Sequence, residues 1–152
     1  VPLPWTVEDR IEMALTRHRN GFHCSQSVLA AYADDLGIPV DLALRMAAAL
    51  AGGSTVGGEC GAVAAGYLIL GARHGLAMPT GGDVGRDGAL FGRLRRFAEQ
   101  FKDCHGSLNC RELLGVDVFT REGLAEGRRR GLFVDRCRRY IRDAIAILES
   151  LG

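Results

Sequence analysis

The chain has 152 residues, 47% of them hydrophobic and 24% charged, and a formal net charge of +1. That balance predicts one folded domain spanning 1–152 with a sizeable core. It argues against the strongly basic footprint of a nucleic-acid binder. No apolar run reaches the roughly 18 residues needed to span a bilayer, so no membrane segment is expected.

The first ten residues, VPLPWTVEDR, lack the basic start and apolar core of a signal peptide. Because the chain does not begin with Met, a removed leader stays open. Thr6 predicts a helix N-cap, and Val7, Ile11, Ala14 and Leu15 continue a helical stripe that Asn20-Gly21 ends. A second helix is expected from Cys24 to Leu36, with Gly37 as its stop. A third, PVDLALRMAAAL, ends at Gly52-Gly53, and a fourth, CGAVAAGYLILGARHG, is hydrophobic enough to be central. After the loop MPTGGDVGRDG, a fifth helix near 88–103 carries Leu90, Phe91, Leu94, Phe97 and Phe101. A short helix near 108–114 follows, with Ser107 as cap and Gly115 as stop. The last helix, from about Leu132 to Leu151, places Tyr140, Ile141, Ala144, Ile145 and Leu148 on one face. Alternating strand patterns are nearly absent, so the prediction is an all-α bundle of about five main helices plus the short one.

The stretch GGSTVGGECGAVAAG, residues 52–66, resembles a nucleotide loop only in its glycine content. A phosphate-binding loop needs Lys and Ser or Thr after its last glycine, where this chain has Glu59 and Cys60. A dinucleotide fingerprint needs a preceding strand, where LALRMAAAL is helical. What remains is a turn that leaves Cys60 at the start of a helix. Unpaired N–H groups and the helix dipole there favour a thiolate, and Glu59 opposes it. The small residues from Gly58 to Gly66 also allow close helix packing.

Five cysteines, an odd number without dense spacing, predict reduced thiols and a cytoplasmic protein. Cys24, Cys60, Cys110 and Cys137 each precede apolar residues by three, four or seven or eight positions, so all four should face inward. Three of them fall in the first turn of their helices. Each alone reads as a small buried hydrophobe. Together they can build a four-cysteine site for iron–sulfur or zinc, or bring two thiols within disulfide reach. No pair has the spacing of a metal knuckle, so the fold must assemble any such site.

The order of these cysteines, in GFHCSQSVL, the glycine-rich run into CGAVAAG, CRELLG and CRRYIRDAIAIL, resembles the C-GCAxxG-C-C family of proteins read as redox-active. The resemblance runs from about Arg10 to Leu148, although the chain has Cys60-Gly61-Ala62, with glycine at Gly66, where the family's name reads Gly-Cys-Ala. It implies a small helical domain with Cys24, Cys60, Cys110 and Cys137 as the functional set. Similarity to the iron–sulfur portion of split-Soret cytochromes extends that implication to an iron–sulfur cluster and electron transfer.

Cys104 sits at a frayed helix end and is expected to be incidental. The adjacent His105 does not make a haem site, because Phe101 stands where covalent attachment needs a cysteine. His23 adjoins Cys24 and reads either as an exposed turn histidine or as a ligand or proton acceptor. His18 and His74 lie near helix C-termini, where partial positive charge is favourable. Eight of the 19 basic residues fall between Arg121 and Arg142. The run Arg128–Arg139 reads as a solvated face, as compensation for thiolate charge, or as a dock for an acidic redox partner. Three functions follow: a metal or iron–sulfur electron-transfer domain, a thiol–disulfide protein with Cys60 as the reactive thiol, and a helical interaction module, zinc-stabilised or metal-free. A redox partner protein is expected, and a homodimer is compatible with the chain.

Overall fold

The computed structural model describes residues 5–83, 85 and 87–152. Residues 1–4, and Val84 and Arg86 within the expected loop, lie outside the described residues. The fold is all-α, as the periodicity predicts. Helix α1, Val7–Arg19, starts on Thr6, whose Oγ1 accepts the Asp9 N–H while Asp9 accepts the Thr6 N–H. That reciprocal cap satisfies two otherwise orphaned donors. The expected Cys24–Leu36 helix is two: α2, Cys24–Ala30, and α3, Ala33–Leu36, separated by a turn at Ala31-Tyr32. Gly37, left-handed, closes α3 as predicted.

Helix α4, Val40–Ala48, is followed by a wide turn, Gly53–Gly57. Four consecutive residues, Gly52, Gly53, Ser54 and Thr55, have positive φ there. A Cβ at Gly52 would also lie 2.1 Å from the Phe119 ring. Helix α5, Gly61–His74, is central as expected, with Val63, Ile69 and Leu70 fully buried. Its small residues permit close packing: a Cβ at Gly66 would meet the Phe97 ring at 2.5 Å. Helix α6, Gly88–His105, buries Phe97 against it and also buries Phe101, whose ring meets Tyr140. Each such ring contributes about 2 kcal/mol by leaving water.

The short helix α7, Cys110–Leu114, ends at left-handed Gly115 as predicted, but its N-cap is Asn109 and not Ser107. Ser107 Oγ accepts the Asn109 N–H and donates to Glu112, supporting the cap from one residue further out. Helix α8, Arg121–Arg129, is an element the periodicity missed. A wide turn at Phe133–Cys137 then leads into α9, Arg138–Leu151, whose inward face is the one predicted. Helix α2 packs on α4 and α5, and α1 on α9. No helix among the described residues is long and apolar enough to cross a membrane.

Candidate thiol site

Cys24 is the first residue of α2, and the polar residues after it fix that end in place. Ser25 Oγ donates to Ala47 O of α4 at 2.7 Å, and Gln26 Nε2 donates to Leu44 O at 3.0 Å. Gln26 Oε1 accepts the His23 N–H, and Ser27 Oγ donates to His23 O. Ser25 and Ser27 are fully buried, so these bonds remove the penalty of two unpaired hydroxyls. Helical periodicity does not predict this role for Ser25, Gln26 and Ser27; the only signal is three consecutive polar residues opening an otherwise apolar helix.

Cys60 is the N-cap of α5 and is 4% exposed. Its N–H donates to Leu108 O at 2.7 Å, and the Cys110 N–H donates to Gly58 O at 2.7 Å. These two bonds form an isolated antiparallel bridge between Glu59 and Asn109, which sets the start of α5 beside the start of α7. The C-terminal end of α7 is held from Cys137's own neighbourhood. Arg136 donates to Leu113 O at 3.1 Å and Leu114 O at 3.4 Å, and the Tyr140 hydroxyl donates to Leu113 O at 3.1 Å. Cys137, 8% exposed, closes the turn that enters α9.

Position 61 shows why this motif needs glycine. A Cβ there would lie 2.8 Å from Cys24 Sγ and 3.0 Å from Ser25 Cβ. Without it, the α2 and α5 N-termini converge, and the Cys24 and Cys60 thiols are near enough to shift each other's acidity. The neighbouring Cys60 thiol lowers the Cys24 thiol; burial opposes, and the N–H groups of Ser25 and Ala62 assist. Cys60 is raised by Cys24 in turn and by burial. The negative charge therefore falls on Cys24, although the helix-start argument alone placed the more acidic thiol at Cys60. Burial, then the charges on Cys24 and Asp117, push Cys110 up to about 11. Burial, then Cys24 and Cys110, raise Cys137.

Cys24, Cys110 and Cys137 all line one cavity of about 640 Å³, and Cys60 stands behind Cys24. Among the described residues, no three His, Cys, Asp or Glu side chains are placed to hold one metal ion. The donor set is soft enough for iron–sulfur or zinc, but the four cysteines are all free thiols and do not stand together as a ligand group. Cys104 is exposed at the end of α6 and contributes nothing to the cavity. His23 is an exposed residue on the cavity wall. His18 corrects its expected charge. Burial, then Arg138 and His23, lower it to about 4, and its Nδ1 accepts from Arg138 Nε at 3.2 Å. It is neutral at pH 7.

Four cysteines, three of them at helix starts, thus meet in one region through contacts that span the chain from α2 to α9. A family model described as "Putative redox-active protein (C_GCAxxG_C_C)" matches residues 22–151. The chain belongs to this family. The matched segment begins two residues before Cys24 and includes all five cysteines of the chain. No curated protein and no solved structure matches the chain. The family's description gives its property as redox activity.

Proposed function

We propose that this family member is a dithiol–disulfide redox protein in which Cys24 attacks and Cys60 resolves. The carrying observation is the convergence of these two cysteines at the N-termini of α2 and α5, so close that a Cβ at position 61 would lie 2.8 Å from Cys24 Sγ. A thiolate at Cys24 is nucleophilic and faces a cavity, whereas Cys60 keeps its proton until an adduct forms. The Cys24 sulfur bonds to one sulfur of a disulfide, and the other leaves as thiolate. Cys60 then gives up its proton to solvent and attacks the Cys24 sulfur, expelling the second half. The protein loses two electrons and gains a Cys24–Cys60 bond; the substrate becomes two thiols. An external dithiol restores the reduced protein.

A second reading is favoured by the three thiols that line one cavity. Cys24, Cys60, Cys110 and Cys137 would hold an iron–sulfur cluster, which supplies one-electron transfer, or a zinc ion, which supplies stability. Holding either requires the four sulfurs to move closer together than they stand, and no reaction step is derived through a metal.

Anaerobic purification separates the two. The dithiol reading predicts colourless protein without iron, in which one equivalent of a small disulfide consumes two thiols and peptide mapping links Cys24 to Cys60. Brown protein with stoichiometric iron and sulfide, whose thiols react only after chelation, would establish the second reading instead.

A further inference from the structure

The cavity of about 640 Å³ falls in the size range of small-molecule sites. Its ionisable wall residues other than the thiols are two histidines and Arg121, Arg128 and Arg138; no Asp or Glu lines it. The arginine run divides accordingly. Arg129 and Arg130 pair with Glu126, and Arg136 donates to the carbonyls of α7. Arg128 turns to the cavity instead, and neither it nor Arg121 has a carboxylate partner among the described residues. Arg121 is also the first residue of α8, the turn where the helix dipole disfavours a cation. Local helix preference does not account for it, and such conflicts concentrate at functional positions.

The mouth is apolar as well as basic. Phe22, Phe119 and Val134 lie on the wall yet are 37%, 53% and 56% exposed. An apolar rim with cations beside it and a thiol at its base selects a ligand with an apolar body and negative ends.

We infer that the cavity receives a small anionic disulfide, its carboxylates on Arg121 and Arg128, its aromatic or branched body against Phe22 and Phe119, and its S–S bond toward Cys24. This names the substrate class of the dithiol reading and rests on it. The bonds made and broken are those given above: two electrons pass from the Cys24–Cys60 pair to the bound disulfide, which leaves as two anionic thiols.

The test compares two aromatic disulfides on the full chain: dianionic dithiobis(nitrobenzoate) and neutral dithiodipyridine. The rate of Cys24 modification by each is measured in the native protein and in an Arg121→Gln/Arg128→Gln variant. The ratio of anionic to neutral rates falls about fivefold in the variant, and the native ratio falls as salt is added. Arg121→Lys/Arg128→Lys retains most of the ratio, and an unreactive aromatic dicarboxylate slows the native protein's reaction with dithiodipyridine. A ratio unchanged by Arg121→Gln/Arg128→Gln, with Cys24 still reactive toward both probes, overturns the anion site and leaves the dithiol reading standing. Failure of Cys24 to react with either probe in the metal-free folded protein overturns the dithiol reading and the inference with it.

Discussion

At one end the α2–α3 segment meets Arg10, and at the other it meets Cys60. Arg10 is 4% exposed, and each of its nitrogens faces an acceptor. Nη1 donates to Ala31 O at 2.5 Å, Nη2 pairs with Asp35, and Nε lies 3.9 Å from Glu149. The guanidinium stacks over the Tyr32 ring at 4.4 Å, and the Tyr32 hydroxyl donates to Glu149 at 2.6 Å. At the Cys24 end the groups that lower the thiol are another thiol and backbone N–H groups, all neutral, and one side opens to a cavity. A buried charge enclosed by counter-charge is committed to the fold. A charge held by neutral donors beside open space is available for chemistry.

Breaking the enclosed end should have the largest effect on stability and little on reactivity. Arg10→Leu removes the buried cation, leaving Asp35 only Arg73 and Glu149 only the Tyr32 hydroxyl, and is expected to cost about 3 kcal/mol in urea unfolding. Cys24 reactivity per folded molecule stays the same. Gly61→Ala tests the open end. Its new Cβ must displace Cys24 Sγ or separate α2 from α5, costing about 1–3 kcal/mol. Unlike Arg10→Leu, it also slows formation of the Cys24–Cys60 disulfide, read by mass spectrometry after oxidation.

A smaller effect concerns pH. Cys110 has its thiol raised from 9.0 to about 11, so the folded protein retains a proton that the unfolded chain releases. Its contribution to stability is complete below pH 9 and is lost as pH rises from about 9 to 11, since the unfolded state then binds fewer protons. Cys110→Ala should flatten that part of the stability–pH curve, measured by urea unfolding at each pH. Cys104→Ser, at an exposed site outside the cavity, should change stability by less than about 0.5 kcal/mol and leave disulfide formation unaltered.

Local chemistry made much of this fold legible before any coordinates. Thr6, Gly37 and Gly115 act where their capping tendencies place them, and the periodicity of α9 identifies its buried face. The break at Ala31-Tyr32 has no local signal: Arg10 claims the Ala31 carbonyl from 21 residues away, and the ring of Tyr32 is fully buried. Helix α8 escaped notice because Leu124 and Ala125 are its only apolar side chains. Its signals were Thr120, whose Oγ1 accepts the Gly123 N–H, and left-handed Gly131 shortly after its end.

The same division holds at the site. First-turn positions of Cys24, Cys60 and Cys110 follow from helix boundaries alone. The pairing of Cys24 with Cys60 depends on how α2 docks against α5, which no local pattern encodes. Nor does spacing reveal that the Ala62 N–H, from the first turn of α5, serves the sulfur of α2. The charge therefore moved from the thiol that begins α5 to the one facing it.

The most direct measurement is site-resolved alkylation by neutral iodoacetamide across pH, with each cysteine followed by mass spectrometry. The account predicts that Cys24 reacts first among the four site cysteines, with a midpoint below the ordinary thiol value of 9.0, while Cys60 stays protected until Cys24 is modified. Earlier modification of Cys60, or a Cys24 midpoint at or above 9.0, would contradict it.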